Sequence, residues 1–152
     1  MTGANEELVE TGMDIRLSDD PAAISWPELA RVIELAPLGR RDPGKLEIAF
    51  SNSRVRCFAH DGQKLIGAGR AISDGALRAA IFDLVVLPEY QGRGIGTRIL
   101  KYLLDRTGAE IVMLFANPGK ESFYDRFGFR KMKTAMAIMP NPDLQRAKGL
   151  IE

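Results

Sequence analysis

The stretch Ile81-Phe82-Asp83-Leu84-Val85-Val86-Leu87-Pro88-Glu89-Tyr90-Gln91-Gly92-Arg93-Gly94-Ile95-Gly96-Thr97 constrains the chain more than any other. Its first seven residues form an apolar run broken only by Asp83, as expected of a buried strand. Gly92, Gly94 and Gly96 then mark a tight turn, and the apolar spacing beyond it marks a helix. Alternate glycines remove the side chains that would hold a bulky anion off the main chain, so several backbone N–H groups can point at one ligand. The helix adds its unpaired first-turn donors and the positive end of its dipole, which suits a pyrophosphate. Two familiar phosphate loops do not fit. A nucleotide-hydrolase P-loop needs Gly-Lys followed by Ser or Thr, whereas Gly96 is followed directly by Thr97. A dinucleotide fingerprint needs Gly-x-Gly-x-x-Gly, whereas this spacing is Gly-x-Gly-x-Gly.

A chain of 152 residues predicts one domain with a single core. Twenty-one basic residues against 20 acidic ones leave a net charge of +1, which gives no global reason to expect a nucleic-acid surface. The single Cys57 excludes an intrachain disulfide, and with the single His60 it cannot assemble a Cys/His metal site, so no metal is expected. No apolar run is long enough to span a bilayer, and the N-terminus has no basic-then-apolar leader. The expectation is a cytoplasmic protein with a small-molecule partner.

Residues 1–12 are polar and aperiodic, which predicts a flexible extension ahead of a domain over 13–139 and a tail over 140–152. A short strand is expected over 13–17, a helix over 24–36 stopped by Pro37, and a second helix from Asp42 to Ser51 with Pro43 at its start. Strands over 55–60, 64–72 and 77–87 are joined by Asp61-Gly62-Gln63 and Asp74-Gly75, giving an antiparallel meander. Gly67 and Gly69 in the middle strand signal a bulge or a close backbone approach. The helix after the glycine turn carries Ile95, Ile99, Leu100, Leu103 and Leu104 on one face. The apolar run at 111–116 then reads as a parallel strand reached by a right-handed crossover. Asn117, Pro118 and Gly128 predict a short helix over 118–127, and two last strands are expected over 130–133 and 134–139.

Gln91-Gly92-Arg93-Gly94-Ile95-Gly96 resembles the Gln/Arg-x-x-Gly-x-Gly/Ala loop of the GNAT N-acetyltransferases. The stretch from Asn117 to Phe129 is similar to their Asn-x-x-Ala-x-x-Phe-Tyr-x-x-x-Gly-Phe pattern, with Lys120 in place of the alanine. More lightly, the chain looks similar to small bacterial and plastid enzymes related to serotonin N-acetyltransferase. The resemblance implies an α/β (α+β) GNAT fold. Its sheet would be mixed and mostly antiparallel, with about 6–7 strands splayed between the fourth and fifth, flanked by about 4 helices.

It further implies acetyl-CoA as cosubstrate, gripped by Gln91, Gly92, Arg93, Gly94, Ile95, Gly96 and Thr97. The pantetheine would bond the backbone of Leu84, Val85 and Val86, with Asn117 and Tyr124 completing the site. Tyr124 would be the catalytic residue, its phenol protonating the leaving thiolate, since a phenol of ordinary pKa near 10 keeps its proton at neutral pH. An amine would attack the thioester directly in a ternary complex.

The general base has no obvious candidate. Ala80, Phe82 and Leu84 on the relevant face of the strand do not titrate, and Asp83 points to the other face by the two-residue period unless a bulge re-aims it. A structural hydrogen bond is the plainer expectation for Asp83. Glu34, Glu47 or water are the alternatives for the base. The acceptor, read as a primary amine of a small molecule, has no motif in the sequence, and a homodimer stays open. Two other readings remain: a silent acyl-CoA sensor, and a protein or tRNA acetyltransferase with a basic rim built from Arg40, Arg41 and Lys45.

Overall fold

The computed structural model describes residues 13–152, so the expected extension over 1–12 lies outside the described residues. The described chain divides into two compact units at residues 113 and 114. The first contains a sheet in the order β1-β2-β3-β4-β5. Its strands are β1 (Ile15–Ser18), β2 (Val55–Asp61), β3 (Lys64–Ser73), β4 (Arg78–Val86) and β5 (Ile111–Leu114). The first four pair antiparallel in sequence order. β5 joins β4 after the helical crossover, and the main-chain bond from Ile111 N to the Leu77 carbonyl, 3.1 Å, sets it beside the start of β4.

Helix α1 (Trp26–Leu35) starts where the Ser25 hydroxyl accepts the Glu28 N–H, and α2 (Pro43–Ser51) starts where the Asp42 carboxylate accepts the Lys45 N–H. Each cap satisfies a donor that the first turn leaves unpaired. Helix α3 (Ile95–Leu104) follows the glycine turn and buries Ile95, Ile99, Leu100 and Leu103. It lies against the sheet face that carries Gly67 and Gly69, while α1 and α2 cover the other face. There Trp26, Phe50 and Phe58 cluster with ring centroids 5.5–6.2 Å apart, Phe50 stacked on Phe58 and Trp26 edge-on to Phe58.

The two strand glycines are there because α3 and β4 come too close for a side chain. A Cβ at Gly67 would sit 2.8 Å from the Val85 carbonyl oxygen, and one at Gly69 would sit 2.9 Å from Leu103 Cδ1. Opposite Gly69 the register slips: Ala68 pairs with Val85 but Arg70 pairs with Phe82, so Asp83 and Leu84 together oppose one residue. This is a β-bulge, and it bends β4 just before the glycine turn.

The second unit contains α4 (Glu121–Asp125) and α5 (Pro142–Ala147). The expectation of six to seven strands and four helices is corrected to five strands and five α-helices among the described residues. Residues 130–139 form no strand: Met136 and Ile138, 96% and 104% exposed, meet no surface that would bury an alternating face. The helix expected over 118–127 is also shorter. Pro118 and Gly119, the latter at φ 90°, make a tight turn closed by Lys120 N–H on the Asn117 carbonyl, and only then does α4 begin. Gly128, at φ 92°, takes the left-handed position that its spacing predicts after the helix.

Candidate functional site

The glycine turn is anchored at both sides. The Tyr90 hydroxyl donates to Asp61 Oδ2 at 2.6 Å, and Gln91 Nε2 donates to the Val86 carbonyl at 2.9 Å. Arg93 extends toward Met13 and the Tyr90 ring. Asp61 is held below the usual carboxylate range, first by the Tyr90 hydroxyl and then by the Asp14 N–H.

Between these anchors Gly92 and Gly94 adopt φ 79° and 82°, conformations that cost an L-residue strain, and Gly94 is the residue from which α3 springs. A Cβ at either would meet nothing within 4 Å. The glycines therefore serve backbone conformation and leave open space over the turn. Among the described residues, the N–H groups of residues 92 to 97 donate to no protein acceptor; the ladder begins with Arg98 N–H on the Gly94 carbonyl. Unpaired donors, open space and the positive end of a ten-residue helix form a cradle whose electrostatics suit an anion.

Leu84, Val85 and Val86 lie on β4 immediately before the cradle, with Val85 buried. The four residues of β5 begin opposite Leu77 and are too few to reach the end of β4, so among the described residues the outer edge at 84–86 has no strand partner.

Asp83 does not obey the two-residue period. Its φ of 55° is left-handed, and the bulge turns its carboxylate to the α1/α2 face. There Arg70 Nε donates to Asp83 Oδ2 at 2.7 Å and Arg41 Nη2 lies 3.6 Å from Oδ1. Arg70 Nη1 also donates to the buried Ser53 hydroxyl, 3.2 Å, and its guanidinium sits over the Phe50 and Phe82 rings. The bulge thus re-aims Asp83, the exception left open to the two-residue period, and the expected structural bond is present. Sequence reading missed Arg70, whose signal was a cation in the middle of an otherwise apolar strand beside an equally isolated carboxylate. Glu34 pairs with Arg40 at 3.0 Å on the exposed loop side, and Glu47 is exposed on α2. His60 is half-buried on β2, and burial pushes its imidazole below the ordinary value.

In the second unit, Tyr124 lies on α4, with its ring edge-on to Phe123 at 5.0 Å and to Phe129 at 5.9 Å. Burial pushes its phenol above the ordinary value, so it stays protonated at neutral pH. Its hydroxyl bonds none of the described residues. Asn117 is exposed at the opening turn, its carbonyl holding Lys120 N–H at 2.9 Å. Lys120, also exposed, precedes α4. Among the described residues no three His, Cys, Asp or Glu side chains gather at metal-ligating spacing.

A bulged β4 running into a glycine-lined helix start, with amides at the turn that meet no acceptor among the described residues, places the chain in the α/β class. The acetyltransferase (GNAT) domain model matches residues 53–131. The chain belongs to the GNAT acetyltransferase family. It is 35% identical over 109 residues to the ycf52-like N-acetyltransferase of Prochlorococcus marinus, covering 67% of this chain and 61% of that protein. The chain thus spans about three-fifths of that relative's length.

A probable acetyltransferase from meticillin-resistant Staphylococcus aureus has the same fold, with TM-score 0.74 and 24% identity over 84% of this chain and 100% of its own. Arabidopsis thaliana Naa50, in complex with the bisubstrate analogue CoA-Ac-MVNAL, aligns at TM-score 0.65 and 22% identity over 78% of this chain and 85% of its own.

Proposed function

We propose that this protein transfers an acetyl group from acetyl-CoA to a primary amine of a small molecule by direct attack in a ternary complex. The observation that carries the reading is the row of N–H groups at 92 to 97 that meet no acceptor among the described residues, over a turn whose two left-handed glycines leave open space. The residues present fit the coenzyme, which supplies the activated thioester. Amides 92 to 97 would hold its diphosphate, and the open edge of β4 at 84–86 would bond its pantetheine amides, groups that need partners once buried. A backbone N–H of the same segment would polarise the acetyl carbonyl, an oxyanion-type role. Tyr124 would give its proton to the departing sulfur, and Asn117 would bond the coenzyme beside it.

Asp83 is committed to Arg70 and Arg41, so the amine would lose its proton through water or to Glu34 or Glu47 rather than to Asp83. A peptide amine is the second reading, supported by the peptide-bearing analogue on Naa50 and by the exposed Arg40 and Arg41 on the loop joining α1 and α2.

Calorimetric titration with acetyl-CoA, followed by thiol release with arylalkylamines, polyamines and N-terminal peptides, tests both. Saturable binding with release for a small amine supports the first reading, and release for peptides alone moves the acceptor to the second. Binding without release for any acceptor leaves an acyl-CoA sensor, and no binding removes the cradle assignment.

A further inference from the structure

We propose a second anion site at the opposite end of α3, built to hold one phosphoryl group, either free phosphate or a phosphate monoester. A surface cavity of about 130 Å³ is lined by Asp19, Arg54, Val55, Arg56, Tyr102 and Arg106. Ten helical residues span about 15 Å, so this cavity, at the Tyr102–Arg106 end, is well separated from the glycine cradle at the Gly94 end.

Arg54, Arg56 and Arg106 line the cavity together with one carboxylate, Asp19, and among the described residues none of the three arginines has an ion-pair partner. Their donors are mostly unspent. Arg54 makes no hydrogen bond to a described residue. Arg106 stacks 3.5 Å from the Tyr102 ring centroid and uses Nη1 on the Tyr102 carbonyl, which covers one of the acceptors that make a helix C-terminus hostile to anions. Arg56 is fixed by the carbonyls of Asp19, Phe50 and Ser53, so its charge is held in place without being neutralised.

Three cations beside one carboxylate leave a net positive charge, and a bound oxyanion converts the remaining repulsion into charge-assisted hydrogen bonds. Arginine forks match tetrahedral oxyanions bidentately. The cavity has room for one phosphoryl group. The Asp19 carboxylate at the rim favours a ligand with a hydroxyl or amine beside its phosphate over a polyphosphate.

Titrating nitrogen-15-labelled protein with sodium phosphate, at ionic strength held constant with chloride, reads the site residue by residue. Saturable amide shifts at 19, 54–56 and 102–106 are expected. Arg54→Gln and Arg106→Gln, both exposed and so tolerated by the fold, should each weaken that binding about tenfold, the loss of one charged hydrogen bond, and leave acetyl-CoA titration unchanged. Glycerol 3-phosphate separates the sources: binding tighter than phosphate assigns a monoester, and binding of phosphate alone assigns the free anion. Shifts that fail to saturate, that appear only at 92–97, or that survive both substitutions overturn the proposal.

Discussion

At the scale of single residues, Asp83 and Gly94 are held in backbone conformations that most side chains resist, for different reasons. Asp83 at φ 55° is kept there by two guanidiniums, and its side chain is 9% exposed. Asp83→Asn keeps a residue that tolerates the left-handed region but leaves Arg70 without its counter-charge, and urea denaturation should show a loss of about 3 kcal/mol. Asp83→Val should lose about 1–2 kcal/mol more, because a branched side chain also strains the bulge. Equal midpoints for the two variants would mean that the bulge relaxes in solution.

Gly94 has no neighbour that a methyl group would strike, so Gly94→Ala should cost about 1–2 kcal/mol of folding by backbone strain alone. Any larger loss in acetyl-CoA affinity would come from a methyl projecting into the ligand's space, and unchanged affinity by calorimetry would remove the turn from the coenzyme site. Tyr124→Phe should lower kcat by about 10²-fold with unaltered coenzyme binding, the range expected for a proton donor. Because burial raises the Tyr124 phenol, a basic limb in kcat caused by its ionisation belongs above about pH 10. A limb near pH 8 that vanishes in the variant would contradict the assignment.

At the scale of elements, legibility followed how locally each signal was written. The helix start at Asp42-Pro43, the Asp61-Gly62 and Asp74-Gly75 turns and the apolar face of α3 each sit within one turn of the element they define, and the structure has them where the spacing puts them. The glycines at 67 and 69 announced close approach, and β4 and α3 supply the neighbours. For Asp83 the spacing left two orientations open, because a period-two argument assumes an unbroken ladder and the register slip opposite Gly69 depends on a strand fifteen residues away rather than on local spacing. The alternation at 134–139 was real, but a strand also needs a surface to bury its apolar side, and none covers Met136 or Ile138.

Packing between elements is tested where Phe50 of α2 stacks on Phe58 at 5.5 Å and lies beneath Arg70. Phe50→Ala should cost about 3–5 kcal/mol. A smaller loss in thermal or chemical melts would show that α1 and α2 collapse into the gap.

At the scale of the whole molecule, the single cysteine offers a direct reading of how ligands stabilise the fold. Cys57 is fully buried on β2 on the face that α3 covers, and desolvation pushes its thiol up to about 12. The thiolate is the reactive form, so both burial and this raised value silence Cys57 in the closed protein, and labelling must wait for opening. When reclosing outpaces labelling, the rate is proportional to the population of open molecules and therefore follows stability. A ligand that binds only the folded state at about 100 times its Kd lowers that population about 100-fold, or about 2.7 kcal/mol.

Acetyl-CoA at that excess should therefore slow modification of Cys57 by an aromatic disulfide about 100-fold, even though its proposed cradle lies at the turn before α3 and not at Cys57. The same silence keeps the protein's own thiol out of a coenzyme-release assay. A labelling rate indifferent to acetyl-CoA, in a protein that calorimetry shows to bind it, would mean that β2 and α3 part locally without releasing the coenzyme. The sheet and its covering helix would then not open as one unit.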